Sequence, residues 1–237
     1  MTPPPRVIFT DDVDWLTQMN HYRNLRTVWV CVLFGLITAC GGDNFDTIQN
    51  LRSAGETIIC FGDSLTEGVG AGSGEDYPAV LSRLIGFPVL NAGQRGDTTA
   101  QALERISDAV LNKNPRLVIV FLGGNDFLRQ APRQETRRNL EEIVSRVQSA
   151  GAMVAIAGMR LGLFTDELGP IFEETAKKFG ALYIPEVMRS ILTDSSLKSD
   201  AIHPNGAGYR LIAERIAEKI KPLLREADRI RVANQPG

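Results

Sequence analysis

The stretch ICFGDSLTEG, residues 59–68, joins an apolar, strand-like run to an acid, a serine and a glycine. The run is rich in β-branched and aromatic residues, as buried strands are. Asp63 and Ser64 therefore follow directly on the end of a predicted buried strand. A serine in that position is of interest if the fold brings a base and hydrogen-bond donors to it.

Four further apolar runs resemble this one and alternate with helical patterns. Short, nearly continuous runs of this kind suit strands that are buried on both faces of a parallel sheet. The five runs are TIICFG, FPVLNAG, RLVIVFLGG, AMVAIAG and ALYIPE. The alternation predicts one doubly wound α/β domain over residues 56–224. We expect the polar tail at 225–237 to fray.

Amphipathic stretches between these runs predict helices on the faces of the sheet. The apolar positions that share a face are Ala102, Ile106, Ala109 and Val110 in one stretch and Leu140, Ile143, Val144 and Val147 in another. Pro204 is placed to occupy the first turn of the last helix, where a missing N–H costs nothing.

Polar residues follow the predicted strands at their carboxyl ends, where such sheets bind ligands. Ser64 follows the first strand, Asn91 and Gly96 follow the second, and Asn125 and Asp126 follow the third. Because these ends meet at one edge of a parallel sheet, we expect these residues to lie near one another.

A serine hydroxyl becomes a useful nucleophile when a base removes its proton. His203 is the one histidine of the predicted domain, and Asp200 precedes it by three residues. Asp200 can accept the Nδ1 proton and leave Nε2 to serve Ser64. A histidine that merely packs near the last helix is the alternative interpretation.

Acyl transfer also needs hydrogen-bond donors for the developing oxyanion. The backbone N–H of Ser64 qualifies if a helix begins there, Gly96 offers an unobstructed N–H, and Asn125 offers a side-chain amide. Taken alone, the GGND segment at 123–126 is equally typical of a simple turn.

Four segments in this order resemble the four blocks of the SGNH, or GDSL, hydrolases: GDSL at 62–65, NAGQRGDTT at 91–99, GGND at 123–126 and DAIHP at 200–204. The chain is most similar to the periplasmic multifunctional thioesterase, lysophospholipase and arylesterase branch of Gram-negative bacteria. The resemblance implies a flavodoxin-like three-layer α/β/α sandwich, a catalytic triad of Ser64, Asp200 and His203, and an oxyanion hole of Ser64, Gly96 and Asn125. The chain departs from this branch in the segment AGQRG, where relatives often have a serine before the glycine.

The resemblance further implies hydrolysis of acyl esters and thioesters through an acyl-serine, with no metal and no cofactor. The substrates implied are lipid-like acyl chains, aryl esters, acyl thioesters and lysophospholipids. Two other functions stay open: a carbohydrate O-deacetylase of the same superfamily, and a non-catalytic lipoprotein that binds a ligand. The loops at 68–77, 127–133 and 160–169 are expected to shape the pocket, and MRLGLF favours an acyl chain.

The residues before the predicted domain resemble a lipoprotein signal. Residues 1–18 are interpreted as a leader that is disordered or not native, and 19–39 as a signal with a short apolar run. LITAC resembles a lipobox, which makes Cys40 the lipidated residue, followed by a flexible spacer at 40–55. The expected location is the periplasm, tethered to a membrane by this lipid. A plain signal with a soluble periplasmic or secreted enzyme, and an uncut membrane anchor, are the alternatives.

The amino-acid composition limits the classes of molecule that the protein is expected to bind. The chain of 237 residues has a formal net charge of −2 and no basic cluster, which argues against nucleic acid as a partner. Of its three cysteines, only Cys60 falls in the predicted domain, so neither a disulfide nor a cysteine metal site is expected there. We expect a monomer that acts on a small acyl ester or lipid.

Overall fold

A computed structural model describes residues 45–160 and 168–233, which belong to one unit beginning at Asn44. The predicted leader, the predicted signal and Cys40 lie outside the described residues. The strands are β1 (Thr57–Gly62), β2 (Val89–Gly93), β3 (Pro115–Phe121), β4 (Met153–Ala157) and β5 (Leu182–Ile184). The helices are α1 (Ser64–Glu67), α2 (Tyr77–Ile85), α3 (Thr99–Ala109), α4 (Gly124–Leu128), α5 (Arg133–Ser149), α6 (Gly169–Phe179) and α7 (Gly206–Ala233). Single 3₁₀ turns occupy Leu111–Lys113 and Ser195–Leu197.

The five strands form one parallel sheet in the order β2-β1-β3-β4-β5. Helices α2 and α7 pack together on one face, and α3, α5 and α6 pack in a row on the other. This three-layer α/β/α arrangement, with the flavodoxin-like strand order, confirms the predicted fold. The strand order reverses beside β1, which brings the exits of β1, β2 and β3 together.

Burial follows the position of each strand in the sheet. All of β3 and β4 and nearly all of β1 are buried, whereas β2 and β5 are edge strands with partly exposed residues. The prediction that every strand is buried on both faces therefore holds only for the central three. The predicted apolar faces of α3 and α5 do pack against the core, through residues such as Ile106 and Leu140.

The domain begins earlier than predicted. Residues 45–55, assigned to a flexible spacer, fold against the domain: Phe45, Ile48 and Leu51 pack on its core. The Asn50 side chain donates hydrogen bonds to the carbonyls of Gln148 and Ala152, at 2.8 and 3.0 Å. These contacts pair groups about a hundred residues apart, which corrects the spacer prediction for this segment.

The domain also ends later than predicted. Helix α7 continues to Ala233, so residues 225–233 are helical and not a frayed tail. Ala227 is buried, and Asp228 forms an ion pair with Arg116 of β3. The start of α7 differs as well: it begins at Gly206, after Pro204, because the Asn205 side chain accepts hydrogen bonds from the N–H groups of the first turn. None of the described helices is long and apolar enough to cross a membrane.

Candidate active site

Ser64 lies where β1 turns sharply into α1. Asp63 caps the helix by accepting a hydrogen bond from the Leu65 N–H at 3.0 Å, and Ser64 is the first helical residue. A side chain at Gly62 would collide with the Thr66 hydroxyl and the Phe121 carbonyl, so the turn requires glycine. As the first residue of a helix, Ser64 has a backbone N–H with no intrahelical acceptor, which leaves it free for an anion.

His203 and Asp200 complete a hydrogen-bonded chain with Ser64. His203 Nε2 lies 3.1 Å from Ser64 Oγ, and Asp200 Oδ2 lies 2.7 Å from His203 Nδ1. The other Asp200 oxygen accepts hydrogen bonds from the Ile202 and His203 N–H groups, both at 2.9 Å. The structure thus brings together the three residues predicted as a triad, although their catalytic roles stay predictions.

Asp200 is arranged to remain charged while it orients the imidazole. The hydrogen bond from the Ile202 N–H is the largest of the effects that lower the pKa of Asp200 to about 2, followed by the bonds from the His203 ring and backbone. A carboxylate at Nδ1 favours the tautomer with its proton on Nδ1, which leaves Nε2 able to accept the serine proton. His203 itself is buried at 6% exposure, so little water competes for Nε2.

Asn125 and Gly96, the predicted oxyanion donors, sit at different distances from the cavity beside Ser64. Asn125 lines this cavity, and its amide donates to Asp63 Oδ2 at 3.2 Å and to the Asp97 carbonyl at 3.0 Å. Gly96 is not among the described residues that line it. Gly96 has a φ of +85°, and its carbonyl accepts a hydrogen bond from Arg129 Nη2 at 2.7 Å. Asp97 therefore joins the two predicted donors, since it follows Gly96 and binds Asn125.

Two other polar residues from the predicted strand ends, Asp126 and Asn91, bond to neighbouring parts of the fold and are not among the described residues that line the cavity. Asp126 is buried and accepts hydrogen bonds from the Thr99 N–H at 2.9 Å and from the Thr99 and Thr136 hydroxyls. It thereby fixes the start of α3 to α4. Asn91 lies within the exposed edge strand β2, where its side-chain oxygen accepts a hydrogen bond from the Gly93 N–H at 2.9 Å.

Asp63 has an electrostatic environment that disfavours its charge. Burial raises the pKa of its carboxyl to about 6, and the nearby charge of Asp97 adds to the rise. The Leu65 N–H, the Asn125 amide and His203 act in the opposite direction. Within the described part of the chain, no cluster of three His, Cys, Asp or Glu residues could hold a metal ion. Asp63 instead connects the helix that begins at Ser64 to Asn125.

An apolar cavity of about 230 Å³ opens beside Ser64. Leu128 and Ile202, which line it, have 55% and 44% of their surface exposed. Its described lining residues are Asp63, Ser64, Leu65, Gly124, Asn125, Phe127, Leu128, Met159, Arg160, Met188, Leu192, Ile202 and His203. The loop at 127–133 contributes to the cavity as expected. The loop at 68–77 is not among these lining residues, and most of 160–169 lies outside the described residues.

Sequence reasoning missed several residues at this end of the sheet. Met188 and Leu192, in the turns after β5, line the cavity. Arg105 of α3 lies behind the Gly96 loop and contacts Asp97. The sequence indicates Arg105 only weakly. The residue directly precedes Ile106 on a helix whose buried face includes Ala102 and Ile106. Cys60 is buried in β1, where burial raises the pKa of its thiol, in agreement with an inert structural cysteine.

Comparison with known proteins shows what the chain resembles. Residues 60–211 match the GDSL-like Lipase/Acylhydrolase family. The chain is 31% identical over 180 residues to thioesterase 1/protease 1/lysophospholipase L1 of Escherichia coli strain K12, covering 73% of this chain and 86% of that protein. It is 27% identical to esterase TesA of Pseudomonas aeruginosa, covering 73% and 92%. The crystal structure of the psychrotrophic esterase EstA from Pseudoalteromonas sp., inhibited by monoethylphosphonate, matches with a TM-score of 0.66 at 26% identity, covering 71% and 98%.

Proposed function

We propose that this chain, which belongs to the GDSL-like lipase/acylhydrolase family and is an ester-hydrolysing enzyme, cleaves acyl esters and thioesters through an acyl-Ser64 intermediate. The observation that carries the proposal is the continuous hydrogen-bonded chain from Ser64 Oγ through the His203 ring to Asp200. It matches the order of nucleophile, base and orienting acid that acyl transfer requires.

The proposed reaction has two halves. His203 Nε2 takes the Ser64 proton as Oγ attacks the acyl carbonyl, and the negative oxygen is stabilised by the N–H groups of Ser64 and Gly96 and the Asn125 amide. The tetrahedral adduct then collapses, and His203 gives its proton to the leaving alcohol or thiol. In the second half, His203 takes a proton from water as the water oxygen attacks the acyl-Ser64 carbonyl. The second adduct collapses with cleavage of the bond to Ser64 Oγ, which takes the proton from His203, so that the acid leaves and the free serine is restored.

The Asn125 amide must redirect one hydrogen for this role. Both of its contacts in the structure, with Asp63 and with the Asp97 carbonyl, are ordinary hydrogen bonds of 3.0–3.2 Å. The contact to Asp63 is the longer of the two, and a charged oxyanion is a strong acceptor. We therefore expect the oxyanion to take this hydrogen in the transition state, while the bond to the Asp97 carbonyl holds the amide in place.

The cavity supports a lipid-like acyl group as the part of the substrate that is recognised. Phe127, Met159, Met188 and Leu192 offer apolar side chains around the position that the acyl chain would occupy beside Ser64. Each methylene that leaves water contributes about 0.8 kcal/mol. The name of the Escherichia coli relative, with its thioesterase and lysophospholipase activities, favours the same substrate classes.

A rate panel tests the proposal. We expect hydrolysis of p-nitrophenyl esters from acetyl to palmitoyl to rise with chain length until the cavity is filled, together with activity on acyl-CoA and on a lysophospholipid. Ser64→Ala should lose all of these activities. A steep preference for acetyl would instead indicate the carbohydrate O-deacetylase. Activity on none of them would indicate a non-catalytic lipoprotein that binds a ligand.

We also propose that Cys40 carries a lipid that tethers the enzyme to a membrane on the periplasmic side. Four residues, 41–44, separate Cys40 from Phe45, whose side chain packs on the domain. The five Cα-to-Cα steps from Cys40 to Phe45 span roughly 18 Å at most. Because residues 45–55 contact Ala152 and Gly180, which precede β4 and β5, the tether joins the end of the sheet opposite Ser64. Metabolic labelling with a palmitate analogue should mark the wild type and not Cys40→Ser, whereas equal or absent label would indicate a soluble enzyme.

A further inference from the structure

Arg105 connects the exits of two strands to the loop that carries Gly96. Its Nε donates to Asp97 Oδ2 at 2.5 Å, Nη1 to the Ala92 carbonyl at 3.1 Å, and Nη2 to the Gly62 carbonyl at 2.9 Å. Its guanidinium also lies over the Phe61 ring, 4.8 Å from the centroid. All three guanidinium nitrogens therefore donate hydrogen bonds at the carboxyl ends of β1 and β2.

Asp97, the carboxylate that Arg105 binds, is linked to both predicted oxyanion donors, Gly96 and Asn125. It directly follows Gly96, so a shift of the Asp97 backbone also displaces Gly96, whose N–H is the predicted donor. Its carbonyl accepts the hydrogen bond from the Asn125 amide at 3.0 Å. Asp97 is almost completely buried, with 4% of its side chain exposed. A buried carboxylate of this kind depends on its cation to stay in place.

The strand exit before Ser64 belongs to the same network. The Gly62 carbonyl accepts from Arg105 and also from the Gln94 N–H at 3.0 Å. Asp63 and Ser64 follow Gly62 immediately. Arg105 therefore fixes the distance between the end of β1, which precedes Ser64, and the loop that carries Gly96. Oxyanion stabilisation depends on that spacing, because donors must meet the oxygen at about 2.7–3.1 Å.

We propose that Arg105 is a positioning residue of the oxyanion hole, holding Asp97, and with it Gly96 and Asn125, at a fixed place relative to Ser64. The inference rests on the proposed acyl-Ser64 reaction. The three guanidinium nitrogens of Arg105 are bonded to Asp97 and to two strand carbonyls, so we assign Arg105 no contact with the substrate. Its effect is on the transition state, where the oxyanion exists, and not on the binding of the neutral ester.

Lysine tests this role because it keeps the positive charge and loses the fork of donors. A single ammonium cannot reproduce contacts to a carboxylate and to two carbonyls in the arginine geometry. We expect Arg105→Lys to lower kcat on a short p-nitrophenyl ester by about 10–100-fold, as small displacements of catalytic groups do. The KM should change by less than about 3-fold, because ground-state binding is untouched. Arg105→Met should lower kcat further than Arg105→Lys.

Arg116→Lys is the matched control. Arg116 also forms an ion pair with an aspartate at 2.5 Å, but it is the second residue of β3, at the opposite end of the sheet. We expect Arg116→Lys to lower the melting temperature at least as much as Arg105→Lys does while changing kcat by less than about 2-fold. Unchanged kcat in Arg105→Lys, or losses of kcat that follow the loss of melting temperature in both variants, would overturn the proposal. So would a raised KM with full kcat.

Two further variants keep the outcome interpretable. If the Arg105 variants do not fold, Asp97→Asn removes the charge that Arg105 holds at nearly constant volume, and we expect kcat to fall about 10-fold. Full kcat in folded Asp97→Asn would refute the proposal. Ser64→Ala, measured beside them, tests the reaction itself: a wild-type rate in that variant overturns the acyl-serine mechanism, whereas its inactivity with full kcat in Arg105→Lys overturns only the positioning role.

Discussion

Two arginine–aspartate pairs with the same 2.5 Å separation stand at opposite ends of the sheet and differ in what surrounds them. At the carboxyl end, Arg105 and Asp97 are embedded in contacts to strand carbonyls and to Asn125. At the amino end, Arg116 is buried and its Nε has no hydrogen-bond partner among the described residues, while Asp228 is 46% exposed. The first pair lies among the groups that we propose to form the reacting centre. The second attaches the end of α7 to the sheet.

The comparison suggests that changes at the two ends should separate chemistry from stability. Ser64→Ala is expected to have the largest effect, a loss of kcat of about 10⁴-fold or more, because no other group supplies the nucleophile. The melting temperature should hardly change, since the substitution removes one hydroxyl from the surface of the cavity. Steady-state kinetics with thermal unfolding measures both. A fluorophosphonate probe that still labels Ser64→Ala would contradict the assignment.

Asn125→Ala is expected to come next, with kcat lowered by about 10²–10³-fold. The amide acts on the oxyanion, which is absent from the ground state, so KM should stay nearly constant. Asn125→Asp is a useful companion, because it keeps the size of the side chain and replaces the donor by a negative charge. An effect on KM alone would move Asn125 from oxyanion stabilisation to substrate binding.

Asp228→Ala should produce the opposite pattern at the amino end. Removing this carboxylate leaves the Arg116 cation buried without its partner, and we expect unfolding to become easier by about 2–3 kcal/mol. Arg116→Met should cost less, because half-exposed Asp228 can turn to water. Both variants should keep wild-type kcat. Chemical denaturation with parallel rate measurements checks this, and a kcat that falls with stability would remove the distinction between the two ends.

The residues that sequence analysis found are those whose relations are local or periodic. Asp200 and His203 are three residues apart, so their contact needs only a turn. Ser64 was identified from the strand that precedes it, and the parallel order of the strands followed from their alternation with helices. Gly96 and Asn125 were candidates as hydrogen-bond donors, but only the resemblance to a family set them apart from ordinary turn residues, because glycine and asparagine are common in turns.

The parts that sequence analysis missed depend on angles and distances between elements. Arg105 bonds Asp97, Ala92 and Gly62, which lie 8, 13 and 43 residues away along the chain. The segment 45–55 is polar enough to suggest a spacer, yet it is held by Gln148, Ala152 and Gly180. The last turns of α7 are likewise held by Arg116. No local pattern reports contacts across such sequence separations.

Asp63→Asn is the prediction with the smallest expected effect, and it concerns stability at the catalytic end. The pKa of Asp63 is about 6 in the folded protein against 3.8 for an ordinary aspartate, chiefly because of burial. The folded state therefore holds the proton more tightly than the unfolded state between these values. The contribution of this group to stability is fully present below pH 3.8 and is lost as pH rises through 6.

Asparagine carries no charge at any pH and caps helices as well as aspartate does, although its single oxygen cannot accept from both the Leu65 N–H and the Asn125 amide, which offsets part of the gain. We therefore expect Asp63→Asn to be more stable than the wild type above pH 6 by about 1–2 kcal/mol, with the difference vanishing towards pH 4. The amino-end variant Asp228→Ala should show no such gain at any pH. Denaturant unfolding from pH 4 to pH 8 measures the difference. A stabilised variant with reduced kcat would mean that the carboxyl end keeps a buried charge for chemistry at a cost in stability, whereas a variant destabilised at pH 8 would mean that the Asp63 charge supports the fold.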